Sequence, residues 1–307
     1  MIDAAEGRGR GKVILYGEHA VVHGFEAVAC GLPLGAVARL RPGKTSTFII
    51  EHPGGRFEAD GQVLKAARGI VESFGLELEA LESSVHLAVP VGAGMGSSAA
   101  LAVALARAAR ELSGQGDEAR VEEAVARAEA VFHGQASGID QSAALRGGVF
   151  AFRRGAHPGA PPQIEPMQAP ALRLVVAQVA PSASTATMVR GVHALARRYP
   201  AAITPTFEAI GQVARAGRAA LEAGDVQEAG ELMNVNQGLL SALGVSIAAI
   251  DAACHLARQA GALGAKLTGA GGGGCVVALS PDAEHTRLIR QAWEARDWPC
   301  FEFYLEP

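Results

Sequence analysis

The sequence predicts a mixed α/β or α+β protein built from two lobes. The chain has 307 residues, of which 49% are hydrophobic, and this is enough apolar material for two modest cores. Stretches with strand-like alternation are interspersed with stretches of helical periodicity, and no internal repeat is present. Residues 157–170 are rich in Pro, Gly and Ala, a composition typical of a domain boundary. We therefore expect an N-terminal lobe at 1–170 and a C-terminal lobe at 171–307.

The individual elements follow from periodicity and from turn residues. In the N-terminal half, strands are predicted at 12–16, 28–40, 45–51, 85–89 and 149–152, and helices at 61–74, 99–112 and 117–132. In the C-terminal half, strands are predicted at 172–179, 276–280 and 301–305, and helices at 188–198, 205–223, 226–243, 247–259 and 285–295. Residues 133–140 and 266–275 are predicted to be loops.

The strongest chemical signal is the loop Val-Gly-Ala-Gly-Met-Gly-Ser-Ser at 91–98, directly before an alanine-rich helix. Glycines at alternate positions allow backbone N–H groups to turn toward one point, and the helix N-terminus adds positive potential, so the loop suits a phosphate. Ser97 or Ser98 can cap the helix, and their hydroxyls can bind phosphate or Mg²⁺. The spacing matches neither a Walker A loop nor a dinucleotide-binding fingerprint. A serine-capped turn without a ligand is the alternative.

Three side chains could supply the remaining needs of phosphoryl transfer, which are positive charge, a held metal and an acceptor for a proton. These are Lys12 at the start of a strand, Glu129 late in a helix and Asp140 in a glycine-flanked loop. Each has an ordinary structural alternative: a solvated lysine, an exposed helical glutamate, and an aspartate satisfied by turn amides. A second glycine run, 269–274, lets a backbone approach a phosphate or the first loop closely, or is simply a flexible turn.

The amino-acid composition limits which binding partners and which cellular location are expected for this protein. A net charge of −4 disfavours nucleic acid and anionic membranes as partners. No run reaches the roughly 18 apolar residues of a membrane span, and no signal peptide is recognisable, so we expect a cytoplasmic protein. The four dispersed cysteines suggest reduced thiols. Only four of the 27 basic residues are lysines, so a lysine in a special loop suggests a need for a compact ammonium group.

Three segments, taken in order, closely resemble the GHMP kinase superfamily. They are Gly-Lys-Val-Ile-Leu-Tyr-Gly-Glu-His-Ala-Val-Val-His-Gly at 11–24, Pro-Val-Gly-Ala-Gly-Met-Gly-Ser-Ser-Ala-Ala at 90–100, and Lys-Leu-Thr-Gly-Ala-Gly-Gly-Gly-Gly-Cys at 266–275. The first is similar to the mevalonate kinase family, whereas galactokinases carry Gly-Glu-His-Thr-Asp-Tyr there. Residues 133–140 resemble that family's His-Gly-Asn-Pro-Ser-Gly-Val-Asp-Asn loop. They depart from it at Gln135, Ala136, Ile139 and Gln141.

The resemblance implies a GHMP kinase fold, with an N-terminal lobe like the second domain of ribosomal protein S5 and a ferredoxin-like C-terminal lobe. The site is then expected between the lobes. It implies ATP as co-substrate, Mg²⁺, and phosphorylation of the primary hydroxyl of mevalonate to 5-phosphomevalonate. It also makes a homodimer plausible.

Residue by residue, the resemblance implies that Asp140 is the catalytic base, and that Lys12 stabilises the attacking oxyanion and lowers the pKa of the hydroxyl. Glu129 and Ser98 are implied to hold Mg²⁺, and His19 to contact the carboxylate end of the acceptor. Substrate-binding positions implied nearby are Thr185 and Gly271. The residues implied to wrap the ATP phosphates are Gly92, Ala93, Gly94, Met95, Gly96, Ser97 and Ser98.

The sequence also leaves other hypotheses about the function open. Within the superfamily, the chain could act on another small alcohol such as phosphomevalonate or homoserine, or decarboxylate diphosphomevalonate; the first motif disfavours these. A non-catalytic paralogue that binds the ligand and the nucleotide is a third reading. It would be expected to lack Lys12, Asp140 or a glycine loop, and the sequence retains them all.

Overall fold

A computed structural model describes residues 3–43, 48–52, 54–133, 138–155, 157 and 160–307. Contacts within the chain divide it into two compact units. The first comprises Met1–Lys12 and Gly31–Gly147, and the second comprises Val13–Cys30 and Gly148–Pro307. Two strands, β1 (Ala5–Tyr16) and β2 (Ala27–Pro42), contribute residues to both units. The division between residues 170 and 171 stays a prediction from composition.

The first unit pairs a sheet with helices. Strand β2 runs antiparallel to β5 (Leu81–Leu87), and β3 (Phe48–His52) pairs parallel with β5 and antiparallel with β4 (Gly55–Glu58). The helices of this unit are α1 (Gly61–Glu72), α2 (Ser97–Ser113), α3 (Glu118–His133) and α4 (Ile139–Arg146). Apolar side chains of the sheet and of these helices form one buried core, because strand alternation and helical periodicity each direct an apolar face inward.

Helix α2 lies directly against the backbone of strand β1. A Cβ atom at Gly7 would come within 2.0 Å of the Ala104 carbonyl oxygen, and one at Gly9 within 2.0 Å of the Ala100 carbonyl oxygen. Only glycines on the strand and small residues on the helix allow this approach. The contact fixes the start of α2 relative to the end of this part of β1, where Lys12 lies.

The second unit contains a four-stranded antiparallel sheet in the order β11-β8-β10-β9. Its strands are β8 (Leu172–Ala180), β9 (Gly264–Thr268), β10 (Gly274–Ser280) and β11 (Cys300–Leu305). Numbered within this sheet the order is 4-1-3-2, which is the split βαβ arrangement of a ferredoxin-like sheet. Outside this four-stranded sheet, β6 (Gly148–Arg153) pairs antiparallel with β7 (Gln163–Pro166).

Helices occupy both long connections of this sheet. Those between β8 and β9 are α5 (Thr185–Arg198), α6 (Pro200–Glu222), α7 (Val226–Ala242) and α8 (Ala248–Gln259), and α9 (Ala283–Glu294) lies between β10 and β11. Trp293 is completely buried in the core, where its indole N–H donates to the Ala253 carbonyl oxygen at 2.9 Å. Asp225 and Asp282 cap α7 and α9 through their side chains. Within the described ranges, no helix is long and apolar enough to cross a membrane.

The predicted helices are all present, with ends shifted by a few residues. Four details of the sequence-based prediction are wrong. Asp140 lies in the first turn of α4 and not in a loop, and the N-cap of α2 is Gly96 and neither serine. Lys266 lies in strand β9, and β1 begins seven residues before the predicted strand. Strands β4 and β7 were not predicted. Parts of the predicted strand at 45–51, of the loop at 133–140 and of the boundary at 157–170 fall outside the described residues.

Candidate active site

Lys12 and Asp140, far apart in sequence, form an ion pair in the first unit. The Lys12 Nζ atom lies 3.2 Å from Asp140 Oδ1. The Lys12 side chain is only 4% exposed, whereas that of Asp140 is 32% exposed. The ammonium group is therefore fixed by its surroundings, and the carboxylate remains accessible to a ligand. Helix α4 places Asp140 in its first turn, where the helix dipole favours a negative charge.

The first glycine loop lies next to Lys12. Gly92, Gly94 and Gly96 all adopt left-handed backbone conformations, with φ between 67° and 84°. Left-handed glycines at alternate positions directly before the N-terminus of α2 are typical of a backbone anion site. The Lys12 N–H donates to the Met95 carbonyl oxygen at 2.9 Å, so the loop and the lysine are held together. Gly96 has no room for a Cβ atom, which would lie 2.9 Å from Lys12 Cγ.

Glu129 and Ser98 have the chemistry of a Mg²⁺ site. Glu129 is 2% exposed, and its Oε1 atom has no hydrogen-bond partner among the described residues. Burial, with the nearby Asp140 carboxylate as a second cause, raises the pKa of Glu129 to about 7, although a Ser98 hydrogen bond and Lys12 oppose the shift. Such an orphaned carboxylate oxygen beside a hydroxyl and a second carboxylate fits a hard cation. No group of three or more His, Cys, Asp or Glu side chains that could hold a metal ion occurs in the described part of the chain.

His19, in the second unit, has an unusual backbone and an incompletely bonded side chain. Its φ of 62° is in the left-handed region, which costs a non-glycine residue about 1–3 kcal/mol. Its Nε2 atom is 2.9 Å from the Ala270 carbonyl oxygen, and its buried Nδ1 atom has no partner among the described residues. Burial is the main cause that lowers the pKa of His19. The imidazole is therefore neutral at pH 7.

The second glycine loop, 269–274, closely approaches backbone of its own unit. A Cβ atom at Gly271 would lie 2.3 Å from the Val245 carbonyl oxygen, and one at Gly273 would lie 2.0 Å from the Pro181 carbonyl oxygen. This packing brings the Ala270 carbonyl group to His19. Thr185, the other predicted substrate-binding residue, is the first residue of α5 and is exposed.

Buried charges lie next to His19, and the sequence alone predicted no role for them. Lys266 is completely buried and forms an ion pair with Glu18, which is 1% exposed. Asn236, also completely buried, donates to Glu18 Oε2 at 3.2 Å. The scarcity of lysine was the available signal, since it marks both Lys12 and Lys266 as unusual in this chain.

Comparisons with known proteins extend these observations. The family model "GHMP kinases N terminal domain" matches residues 62–148, and "GHMP kinases C terminal" matches residues 218–299. A mevalonate kinase of Pyrococcus horikoshii is 35% identical over 300 residues, which cover 88% of this chain and 87% of that protein. A mevalonate kinase of Aeropyrum pernix is 34% identical over 307 residues, covering 95% and 93% of the two chains. The crystal structure of L. major mevalonate kinase in complex with R-mevalonate has a TM-score of 0.86 at 28% identity. That match covers 98% of this chain and 96% of the other.

The matched fold is that of a kinase with the two-lobed α/β architecture expected from the sequence. The phosphate-type loop beside the paired ammonium and carboxylate agrees with this class of protein. The phosphoryl donor of such a kinase is ATP. The chain belongs to the GHMP kinase family.

Proposed function

We propose that this protein transfers the γ-phosphoryl group of ATP to the primary hydroxyl of mevalonate, giving 5-phosphomevalonate and ADP. The observation that carries the proposal is the ion pair of Lys12 and Asp140 beside the glycine loop before α2. The relatives named mevalonate kinase and the neighbour in complex with R-mevalonate support this choice of acceptor.

In the proposed reaction, the primary hydroxyl oxygen attacks the γ-phosphorus atom in line with the departing ADP. Asp140 accepts the hydroxyl proton, and Lys12 stabilises the negative charge that develops on the attacking oxygen. The exposure of the Asp140 side chain allows a hydroxyl to reach it, while the burial of Lys12 holds the ammonium in place. The N–H groups of residues 92–98 bind the phosphates.

Glu129 and Ser98 are the residues that would hold Mg²⁺, and Glu129 Oε1 is the atom that lacks another partner among the described residues. When bound, the ion supplies positive charge to the phosphate oxygens. The chain's own contribution is to leave Glu129 Oε1 without a competing partner among the described residues and to orient the carboxylate through the Ser98 hydrogen bond.

The first experiment is an ADP-release assay with mevalonate, phosphomevalonate and homoserine as separate acceptors. We expect ADP release to depend on mevalonate. Turnover with another acceptor and none with mevalonate would agree with a kinase but contradict mevalonate as its substrate. Binding of nucleotide without turnover of any acceptor would favour a non-catalytic paralogue.

The second experiment tests whether Asp140 is the catalytic base. Asp140→Asn keeps the shape of the side chain but cannot accept the proton, so kcat should fall by about 10²–10⁴-fold with little change in the KM for ATP. Asp297→Asn is the matched control, because Asp297 is exposed and has a φ of 57°, a conformation that asparagine tolerates. Near-normal turnover of Asp140→Asn would remove Asp140 from the mechanism.

Two further features are proposed from composition and resemblance alone, namely a cytoplasmic location and a homodimer. Light scattering of the purified protein gives the oligomeric state directly.

A further inference from the structure

The side chain of Arg107, on helix α2, connects elements of the first unit that carry the candidate active site. Its Nη1 group donates to the Arg8 carbonyl oxygen of β1 at 3.0 Å. Its Nη2 group donates to the Leu145 carbonyl oxygen of α4 at 2.8 Å and to the Glu118 carboxylate of α3 at 2.6 Å. Its Nε group donates to the same carboxylate at 3.1 Å. One guanidinium group therefore joins α2 to β1, α3 and α4, and all of these residues belong to the first unit.

Each of the joined elements carries one residue of the candidate active site. Lys12 lies on β1, Ser98 on α2, Glu129 on α3 and Asp140 on α4. The hydrogen bonds of Arg107 are made to other residues of the same elements. Any influence of Arg107 on the site therefore passes through the positions of the elements.

Arg107 continues the face of α2 that lies against β1. Small residues one and two turns earlier, Ala104 and Ala100, pack directly against the strand. A residue seven positions beyond Ala100 returns to the same face of a helix, so a long side chain at position 107 reaches the strand backbone. The guanidinium group presents five N–H donors in a planar fork and can bind a carboxylate and carbonyl groups together, which a compact ammonium group cannot do.

The Glu118 carboxylate binds two arginines of α2. Burial acts to raise the pKa of Glu118, but hydrogen bonds and charges of Arg107 and then of Arg110 outweigh burial and lower this pKa below its ordinary value. Glu118 is therefore ionised at neutral pH. Because Arg110 also donates to Glu118, α2 and α3 stay connected without Arg107. Arg107 differs from Arg110 in that it also binds β1 and α4.

Helix α4 depends on such contacts for its position. It has eight residues, and its N-cap, Gly138, makes no side-chain capping hydrogen bond. A helix of this length is marginal in isolation, so tertiary contacts must fix it. Arg107 binds one of the last carbonyl groups of α4, which lack partners within the helix and form the negative end of its dipole. Fixing that end of so short a helix also fixes its first turn, where Asp140 lies.

Lys12 and Asp140 come from the two elements whose backbones meet at the guanidinium group. Lys12 is four residues after Arg8 on the same strand, and Leu145 is five residues after Asp140 on the same helix. We propose that Arg107 is a positioning residue, which aligns the Asp140 carboxylate with the Lys12 ammonium by binding β1 and α4 at once. The catalytic consequence of this alignment rests on the proposed function.

The kinetic test compares substitutions of two arginines on the same helix. Arg107→Gln keeps a good helix former but removes the charge and the fork of donors. Arg110→Gln is the matched control, because it makes the same change one turn later and removes a partner of the same carboxylate, but leaves the bonds to β1 and α4 in place. Arg107→Lys keeps the charge without the fork. Urea unfolding shows whether each variant is folded.

In the ADP-release assay with mevalonate, Arg107→Gln should lower kcat about 10–100-fold, because a small misplacement of the reacting groups has an effect of this size. The KM for ATP should change less than about threefold, since the glycine loop is held separately by the bond between Lys12 and Met95. Arg107→Lys should stay impaired, and Arg110→Gln should keep kcat within about twofold of the wild type. Near-normal kcat in a folded Arg107→Gln or Arg107→Lys would overturn the proposal. Failure of both variants to fold would assign Arg107 to stability and overturn it as well.

A double-mutant cycle separates positioning from a general loss of active structure. If Arg107 acts by aligning Asp140, then Arg107→Gln should lower kcat by less than about twofold in the Asp140→Asn background, where no base remains to be aligned. A general loss of active structure would lower kcat by the same factor in both backgrounds, and that result would refute the positioning role.

A spectroscopic test needs no substrate. The chain has only four lysines, so the ¹⁵Nζ resonances of labelled lysines are few, and Lys12 is assigned by its loss in Lys12→Met. Asp140→Asn removes the ion pair and should shift the Lys12 resonance. Arg107→Gln should shift it in the same direction, and Arg110→Gln should not. An unchanged Lys12 resonance in Arg107→Gln would contradict the alignment.

These results separate the inference from the function on which its catalytic consequence rests. If the wild type does not phosphorylate mevalonate, the proposed function fails, while the Lys12 resonance still tests the alignment. If the wild type and Arg107→Gln phosphorylate mevalonate at the same rate, the function stands and the role of Arg107 is refuted.

Discussion

Glu129 should make the metal-free protein less stable as the pH rises. Its pKa is raised from 4.5 to about 7, chiefly by burial, so the folded protein keeps a proton that the unfolded chain releases above pH 4.5. Wherever the folded state binds more protons, the free energy of unfolding falls with increasing pH. The contribution is fully present below pH 4.5 and is lost as the pH rises through 7. A shift of this size corresponds to about 3 kcal/mol.

The measurement is urea unfolding at several pH values between 4.5 and 8.5 in the presence of EDTA. Wild type is compared with Glu129→Gln, which has the same shape and is neutral at every pH. The two proteins should have similar stability at pH 4.5, and the variant should be more stable by about 3 kcal/mol at pH 8.5. Other titrating groups cancel in the difference. Glu123→Gln, on the exposed side of the same helix, is the control and should follow the wild type.

Parallel pH profiles of wild type and Glu129→Gln would refute this reasoning, because they would mean that Glu129 is ionised in the folded metal-free protein. The proposed metal site adds a second readout. Since a metal ligand must be deprotonated, Mg²⁺ with a non-hydrolysable ATP analogue should restore stability above pH 7 in the wild type and not in Glu129→Gln.

Three glycine substitutions test the local structure of the first unit. Gly9→Ala should destabilise the protein by about 2 kcal/mol in urea unfolding, because its methyl group would collide with the Ala100 carbonyl oxygen. Gly69→Ala, inside α1 with open space around it, should instead stabilise by about 1 kcal/mol, and a loss of stability there would contradict the helix assignment. Gly96→Ala should lower kcat about tenfold or more in a folded protein, because the added methyl group displaces Lys12; unchanged kcat would separate the position of Lys12 from turnover.

Local patterns predicted most of the fold. Alanine-rich composition, an early glycine loop and a stopping Gly114 were sufficient for α2, whose C-cap is indeed Gly114. The pattern of apolar residues did not predict α4. This helix has only eight residues between flanking glycines, which is too short for a clear helical periodicity. Asp140 was therefore placed in a loop.

Contacts between distant segments could not be predicted from the spacing of residues along the sequence. The pairing of Lys12 with Asp140 followed only from resemblance to a family, because nothing local to either residue specifies the other. The contact of β1 with α2 left a signal that could have been used. Gly7 and Gly9 recur with the period of a strand, and Ala100 and Ala104 with that of a helix, so small residues line both sides of the contact.

The two unusual lysines show how exposure distinguishes an ion pair that a ligand can reach from one that is enclosed by protein. Both are buried, and both face a carboxylate. Asp140 is partly exposed, so it can exchange its contact with Lys12 for one with a substrate hydroxyl. Glu18 is closed off, and both of its oxygens are engaged, so a proton transfer to it would require opening the core. This difference in accessibility is the reason to propose chemistry for the pair of Lys12 and Asp140 and none for the enclosed pair of Lys266 and Glu18.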